Sequence, residues 1–324
     1  MKCYFCPKLK YETQNSQLDI AYMSVEQFFT LFLEELKTRD KLREYYKFHD
    51  DPNKLAFRKA YFCQRLQYVL DQVQSVSPAA QQSDSPTNPQ TPQPSNPQTL
   101  KPSNLYPLSI WDCGCGYATT QIFLAMNGIA SRGTTLEFYF KEIPSRLEYW
   151  SKYGDTSLVK VSYEDVFSTQ IKASSEDIII VQDTLHHLEP LQDSLRIFHQ
   201  TLRPGGYLIA IEENGNNLIQ RIKLYRQRGN NRIIDYYDEG LGRTVTMGNE
   251  NIRPYQRWRS EFIRAGFEMV EDKLNYVRLF PPNLFQRKQP VEVVKKEQEL
   301  WQRYGLLREY FFFGVNFVAR KPGA

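Results

Sequence analysis

Asp112-Cys113-Gly114-Cys115-Gly116 follows the apolar run LSIW and precedes TTQIFLA, whose pattern is helical. A glycine at 114 can adopt the backbone angles of a tight turn, and a glycine at 116 lets a ligand lie against the main chain. The unpaired N–H groups opening the next helix favour a carboxylate or a phosphate. Alone, this pattern is shared by several kinds of nucleotide enzyme. Other residues narrow it. Glu142 falls at the end of the second expected strand, where an acid can accept both hydroxyls of a ribose. Asp165 ends the third strand, within reach of an adenine amino group. Leu202-Arg203-Pro204-Gly205-Gly206 makes a sharp turn before the fifth strand. His186 and His187 follow the fourth strand and Glu212-Glu213 end the fifth, where strand alternation turns only one of the two acids to a pocket. Such side chains can take a proton from an oxygen or nitrogen that is about to react.

These positions need a scaffold, and the pattern from Leu105 onward supplies one. LSIWDC, LEFYFKE, SLVKVSYED, DIIIVQD and GYLIAIEEN read as strands, separated by the helical patterns TTQIFLAMN, PSRLEYWSKYG and LQDSLRIFHQTL. Alternation of this kind implies a parallel sheet covered on both faces, with ligands beyond the carboxyl ends of its strands. The helix PYQRWRSEFIRA, a strand near EMVEDKLNYVRL and a final strand in YFFFGVNFVAR follow.

Upstream, residues 15–75 read as helical. Ser24 and Gln27 form a capping box, and Val25, Phe28, Phe29, Phe32 and Leu36 recur at helical spacing. Asp51-Pro52 starts a second run, with Phe62, Leu66, Val69, Leu70 and Val73 on one face. From Ser77 to Asn104 the chain is mostly Pro, Ser, Gln, Asn and Thr, with NPQT occurring twice, a composition suited to a flexible tether. The expected organisation is a helical segment over 1–76, a linker over 77–104 and an α/β domain over 105–324. Insertions at 214–253 and 280–309 are long enough to be functional.

The 324 residues are 41% hydrophobic and 14% aromatic, enough for a sizeable core. The net charge of +4 comes with no dense Lys/Arg block, which argues against a duplex-binding surface. MKCYFCPKLK has no apolar signal core and no run could span a bilayer, so the expectation is a cytoplasmic protein without a membrane span. Five cysteines do not suggest a disulfide framework. Cys3, Cys6, Cys63 and His49 are chemically a legitimate zinc set; the Cys3/Cys6 pair has the usual ligand spacing, but the others are far apart and follow no ligand rhythm, and no metal is expected.

The region from about 105 to 213 resembles the class I S-adenosylmethionine-dependent methyltransferases. The resemblance is carried by DCGCG at 112–116, Glu142, Glu164-Asp165, DIIIVQDTLHHLEP at 177–190 and LRPGG at 202–206, and Ala265-Gly266-Phe267 with the last strand extends it. It implies a Rossmann-like, seven-stranded mixed sheet whose last strand is antiparallel, with S-adenosylmethionine as cofactor. Carried over, Gly114, Cys115 and Gly116 lie along the methionine part, Asp112 meets its amino group, and Glu142 with Ile143 beside it holds the ribose. Asp165 and Val166 read the adenine, and Gln182 offers a carbonyl near the methionine amine. Ala118 replaces the third glycine of the family's loop. His187 is the leading candidate for a catalytic base, with His186 and Glu213 behind it, although a double histidine in this family often serves packing.

QDTL at the end of the fourth strand lacks the Asn/Asp-Pro-Pro-aromatic motif of resembling families that methylate nucleic-acid bases, so a small-molecule acceptor is expected and nucleic acid is not. Tyr225, Tyr236, Tyr237, Tyr255, Trp258, Phe280, Phe285, Trp301 and Tyr304 suit a lid over an apolar acceptor. Arg221, Lys223, Arg226, Arg228 and Arg232 suit an anionic one. Two other readings compete. A nicotinamide-dependent oxidoreductase predicts a full three-glycine loop and no acid after the third strand. A non-catalytic scaffold is weakened by the intact Asp112, Glu142 and Asp165.

Overall fold

The computed structural model describes residues 22–48, 51–76, 108–136 and 138–323. The expected linker, Cys3, Cys6 and His49 lie outside the described residues, and Cys63 is buried.

Five strands run parallel: β1 (Ile110–Cys113), β2 (Ser131–Thr135), β3 (Val159–Tyr163), β4 (Glu176–Gln182) and β5 (Leu202–Glu213). Together with β8 (Glu268–Met269) and β10 (Gly314–Arg320) they follow the order β3-β2-β1-β4-β5-β10-β8. β10 is antiparallel to β5, as the resemblance implied. The single strand expected near 268–279 is broken by a 3-10 turn at Glu271–Lys273, so that β8 and β9 (Asn275–Val277) pair with β10 separately.

The second strand also differs from expectation. LEFYFKE has the higher β propensity, yet the strand is Ser131–Thr135, and Phe138–Glu142 form a 3-10 turn. β2 lies between β1 and β3, and ladder bonding on both edges outweighs side-chain preference there. A Cβ at Gly133 would stand 2.3 Å from the buried Gln121 side chain of the helix α4 (Thr119–Ala125), so a larger residue there would displace that side chain.

Side chains alternate along β4. Ile178 and Ile180 enter a core with Ile122 and Phe123 of α4, whereas Ile179 and Val181 enter one with Phe198 of α6 (Leu191–Thr201) and Trp258 of α8 (Tyr255–Arg264). The first core also contains the N-terminal helices α1 (Val25–Lys37), α2 (Asp40–Tyr46) and α3 (Pro52–Val76), through Phe28, Phe32, Leu42 and Val69. α1 opens on the expected box: Gln27 N donates to Ser24 Oγ at 3.2 Å and Ser24 N to Gln27 Oε1 at 2.9 Å.

A buried ion pair fixes these helices to the sheet domain. Arg146 of α5 (Ile143–Trp150) donates to both oxygens of Glu35 at 2.8 Å, and neither side chain is exposed. The same guanidinium donates to the Tyr117 carbonyl and to Thr119 Oγ1, so it also clamps the end of the glycine loop.

The first insertion folds as α7 (Leu218–Arg228) and a hairpin of β6 (Ile233–Asp238) and β7 (Arg243–Gly248). The second forms α9 (Pro282–Arg287), α10 (Pro290–Arg303) and α11 (Gly305–Phe311). Among the described residues no helix is long and apolar enough to cross a membrane.

Candidate functional site

A cavity of about 340 Å³ opens beyond the carboxyl ends of β1 to β4. Gly114, Cys115 and Gly116 form part of its floor, Glu164 to Phe167 and Gln182 to Thr184 its sides, and His187 one end. Two walls come from elsewhere. Tyr45 and Tyr46 of α2, with Phe62, Arg65 and Leu66 of α3, roof it, and Tyr236, Val245, Thr246 and Met247 of the hairpin close another side.

The glycine loop has the anticipated geometry. Gly114 has φ +76°, and a Cβ there would lie 2.3 Å from Thr184 Oγ1, so the loop can approach the end of β4 only with glycine. Gly114 N and Cys115 N both donate to the Thr134 carbonyl, which anchors the turn on β2.

Asp112 lies on β1 just before this loop. It is buried, and neither carboxylate oxygen has a hydrogen-bond partner among the described residues. Burial raises its carboxyl from 3.8 to about 7. A buried acid without a partner is costly, which marks a place for a cationic or donor group.

The other expected residues divide. Asp165, Val166 and Gln182 line the cavity. One Asp165 oxygen accepts from Phe167 N at 3.1 Å, and the other holds Arg243 of the hairpin. With Tyr163 Oη on Asp238 at 2.6 Å, that pair latches the hairpin to β3. Glu142 is not brought to the wall. The shift of β2 places it on the 3-10 turn, 2.8 Å from Lys41, and Ile143 is buried in the core. Glu213 is likewise outside the wall, bound to Arg278 at 2.7 Å.

The two histidines separate in the same way. His187 is in the wall, half-buried, with Nδ1 3.0 Å from the Gly248 carbonyl. With Nδ1 donating to that carbonyl, Nε2 is the ring nitrogen left toward other groups. His186 is buried behind it, 2.5 Å from Glu212. Burial works to lower this imidazole, but Glu212, with Asp183 and Glu250, outweighs it and raises the group to about 9. Glu212 also accepts from Thr184 N and Leu185 N, so the buried acid of the pair shapes the loop after β4.

Arg65 was not anticipated. It is the sole arginine or lysine in the wall among the described residues, and it lies 2.6 Å from Asp183. The basic cluster of the first insertion is elsewhere: Arg221, Lys223 and Arg226 are exposed on α7 and Arg232 on the segment after it. Of the nine aromatic residues named for a lid, Tyr236 alone reaches the wall. Tyr45, Tyr117 and Tyr139 do so as well, with ring centroids 4.3 to 5.2 Å apart.

Residues 111–210 match the model of a methyltransferase domain family. The sheet order and the strand-end cavity accord with that match. The chain is 26% identical over 169 residues to a non-reducing polyketide synthase of Hypocrea jecorina, a match of 50% of this chain and 6% of that protein. It is 28% identical over 166 residues to a highly reducing polyketide synthase of Strobilurus tenacellus, covering 48% and 5%. The chain thus spans a small fraction of these much longer relatives. Among solved structures, a S-adenosylmethionine-dependent methyltransferase of Methanosarcina mazei aligns at 18% identity over 67% of this chain and 93% of that one, with a TM-score of 0.45.

Proposed function

We propose that the chain transfers a methyl group to an oxygen or nitrogen of a small-molecule acceptor that meets the cofactor at the His187 end of the cavity. The observation that carries this reading is the partnerless, buried Asp112, which lies directly before the glycine loop of the cavity floor but is not itself in the wall. S-adenosylmethionine supplies an electrophilic methyl on a sulfonium. Asp112 takes the ammonium of the amino-acid tail, Arg65 takes its carboxylate from above, and the Gly114–Gly116 backbone lies along the tail. Asp165 would accept from the adenine amino group with a remaining lone pair, since its two oxygens already hold Phe167 N and Arg243. The tyrosine faces of Tyr45, Tyr117 and Tyr139 favour a cationic centre. Positioning provides most of the rate in such a transfer, and the acceptor loses its proton at the His187 edge. The matched polyketide synthases support a polyketide-type acceptor, in which a hydroxyl is the nucleophile.

Calorimetry with S-adenosylhomocysteine, followed by transfer of a labelled methyl to candidate acceptors, tests the reading. Saturable binding of NAD in place of S-adenosylhomocysteine would overturn it. Arg65→Ala supplies a finer check. A charge-assisted hydrogen bond is worth about 1.5–3 kcal/mol, so S-adenosylhomocysteine affinity falls about 10- to 100-fold. Methylthioadenosine has no amino-acid tail, and its affinity stays put. An equal loss for both ligands would reduce Arg65 to packing.

Asp112 gives a pH signature. Its folded carboxyl, raised to about 7, stays protonated where an unfolded aspartate is ionised. The folded chain therefore holds more protons between about pH 4 and 7, and ligand-free stability declines as pH rises through that window. Ammonium binding needs the ionised form. Accordingly, S-adenosylhomocysteine affinity rises with pH, by up to about tenfold per unit below 7. Asp112→Asn abolishes both slopes in urea melts and calorimetry at pH 5.5 and 7.5. Persistence of the slopes in the variant would assign them to another group.

A further inference from the structure

We propose that His186, His187 and Glu250 bind one divalent transition-metal cation at the acceptor end of the cavity. The inference deepens the methyltransferase reading above and rests on its placement of the acceptor. One ligand atom from each of the three residues lies within 4.8 Å of the others. His186 Nε2 is 3.7 Å from one Glu250 oxygen and His187 Nε2 is 3.9 Å from the other. These separations are too long for hydrogen bonds, and a small inward movement makes them the spacing of two ligands on one ion.

Both rings are held from behind. His186 offers Nδ1 to Glu212 at 2.5 Å and His187 offers Nδ1 to the Gly248 carbonyl at 3.0 Å. A carboxylate or carbonyl on the far nitrogen is the usual support of a metal-binding histidine, because it fixes the tautomer and aims Nε2. Glu212 is itself fixed by the Thr184 and Leu185 N–H groups. Glu250 sits on a left-handed residue, φ +56°, unusual for a non-glycine, and Asn251 N ties this turn to the His186 carbonyl at 3.0 Å. The turn thereby points a carboxylate at two imidazoles.

Two imidazoles and one carboxylate suit Zn²⁺, Fe²⁺ or Co²⁺ better than Mg²⁺ or Ca²⁺, and leave coordination positions open. His187 borders the cavity, so an open position faces the acceptor. A cation there binds the acceptor oxygen and lowers its pKa, and the hydroxyl proton passes to solvent. The oxygen lone pair then forms the bond to the methyl carbon, and the sulfur keeps the electron pair of the broken C–S bond as a neutral thioether.

The test is titration of chelator-treated protein with Co²⁺, followed by visible d–d absorption. The expected result is one Co²⁺ per chain, with affinity at least about tenfold weaker in Glu250→Gln and in His187→Asn. Both altered side chains are partly exposed, and unchanged S-adenosylhomocysteine affinity reports that each variant is folded. Absence of a Co²⁺ band in the wild-type protein, or wild-type Co²⁺ affinity in both variants, overturns the site and leaves His186 as an imidazolium between Glu212 and Glu250. Failure of the wild-type protein to bind S-adenosylhomocysteine would instead remove the methyltransferase reading.

Discussion

Replacing His187 by alanine lowers methyl transfer by about 10²- to 10⁴-fold, the usual contribution of a group that assists proton loss. S-adenosylhomocysteine binding stays within about twofold, because nothing in the tail or adenine parts of the site touches this ring. The expectation rests on three facts. His187 is the histidine in the cavity wall, its Nδ1 is fixed on the Gly248 carbonyl, and its Nε2 carries no hydrogen bond among the described residues, the nearest carboxylate there being that of Glu250 at 3.9 Å. His186 cannot substitute for it, being buried and paired with Glu212. Glu213→Gln serves as the comparison, since its carboxylate is engaged by Arg278 outside the wall, and turnover should remain near that of the unaltered protein. Single-turnover rates with saturating cofactor decide the matter. A His187→Ala enzyme as fast as the original would move acceptor activation to another residue.

Glu35→Ala costs about 3–5 kcal/mol of folding stability, read as a lower urea midpoint. The change leaves the Arg146 guanidinium buried without its counter-charge, and the Trp150 indole N–H, 2.8 Å from Glu35, loses its acceptor. Arg146 also holds the Tyr117 carbonyl, so cofactor affinity falls along with stability. A Glu35→Leu, Arg146→Met double variant recovers much of the stability, because an apolar pair of similar volume removes the stranded charge. It does not restore the clamp on Tyr117, so its cofactor affinity stays low. A loss under about 1 kcal/mol in Glu35→Ala would mean that water reaches Arg146.

Much of the sheet was legible because its determinants are local. The apolar runs at Ile178–Val181 and Leu208–Ile211 are short, bounded and fully buried, and the glycines at 114 and 116 answer a backbone requirement that neighbouring residues set. The second strand is not legible, for the opposite reason. Ser131–Thr135 has weak intrinsic preference and becomes a strand through its two neighbours, which moved Glu142 off the position its sequence context suggested. The roof is legible in the sequence as helices and less so as part of the site. Phe62, Arg65, Leu66 and Val69 fall at helical spacing on one face, and a cation inside that apolar stripe was the available signal. The pairing of Glu35 with Arg146 carries no local trace, since 111 residues separate them. The double acid at 212–213 shows the limit of alternation: it separates the two side chains correctly, yet Glu212 turns to the backbone of Thr184 and Leu185 and does not reach the cavity wall.

The position of β10 has a consequence for biosynthesis. Residues 314–320 are inserted between β5 and β8, although they follow all the other described strands of this sheet in the chain. While a ribosome is still making the preceding segments, the free edge of β5 from Tyr207 to Glu213 has no mate and can stick to the same edge of another nascent chain. Expression yield should therefore respond to chaperone supply and to slower growth at low temperature more than to any change on the finished molecule's surface.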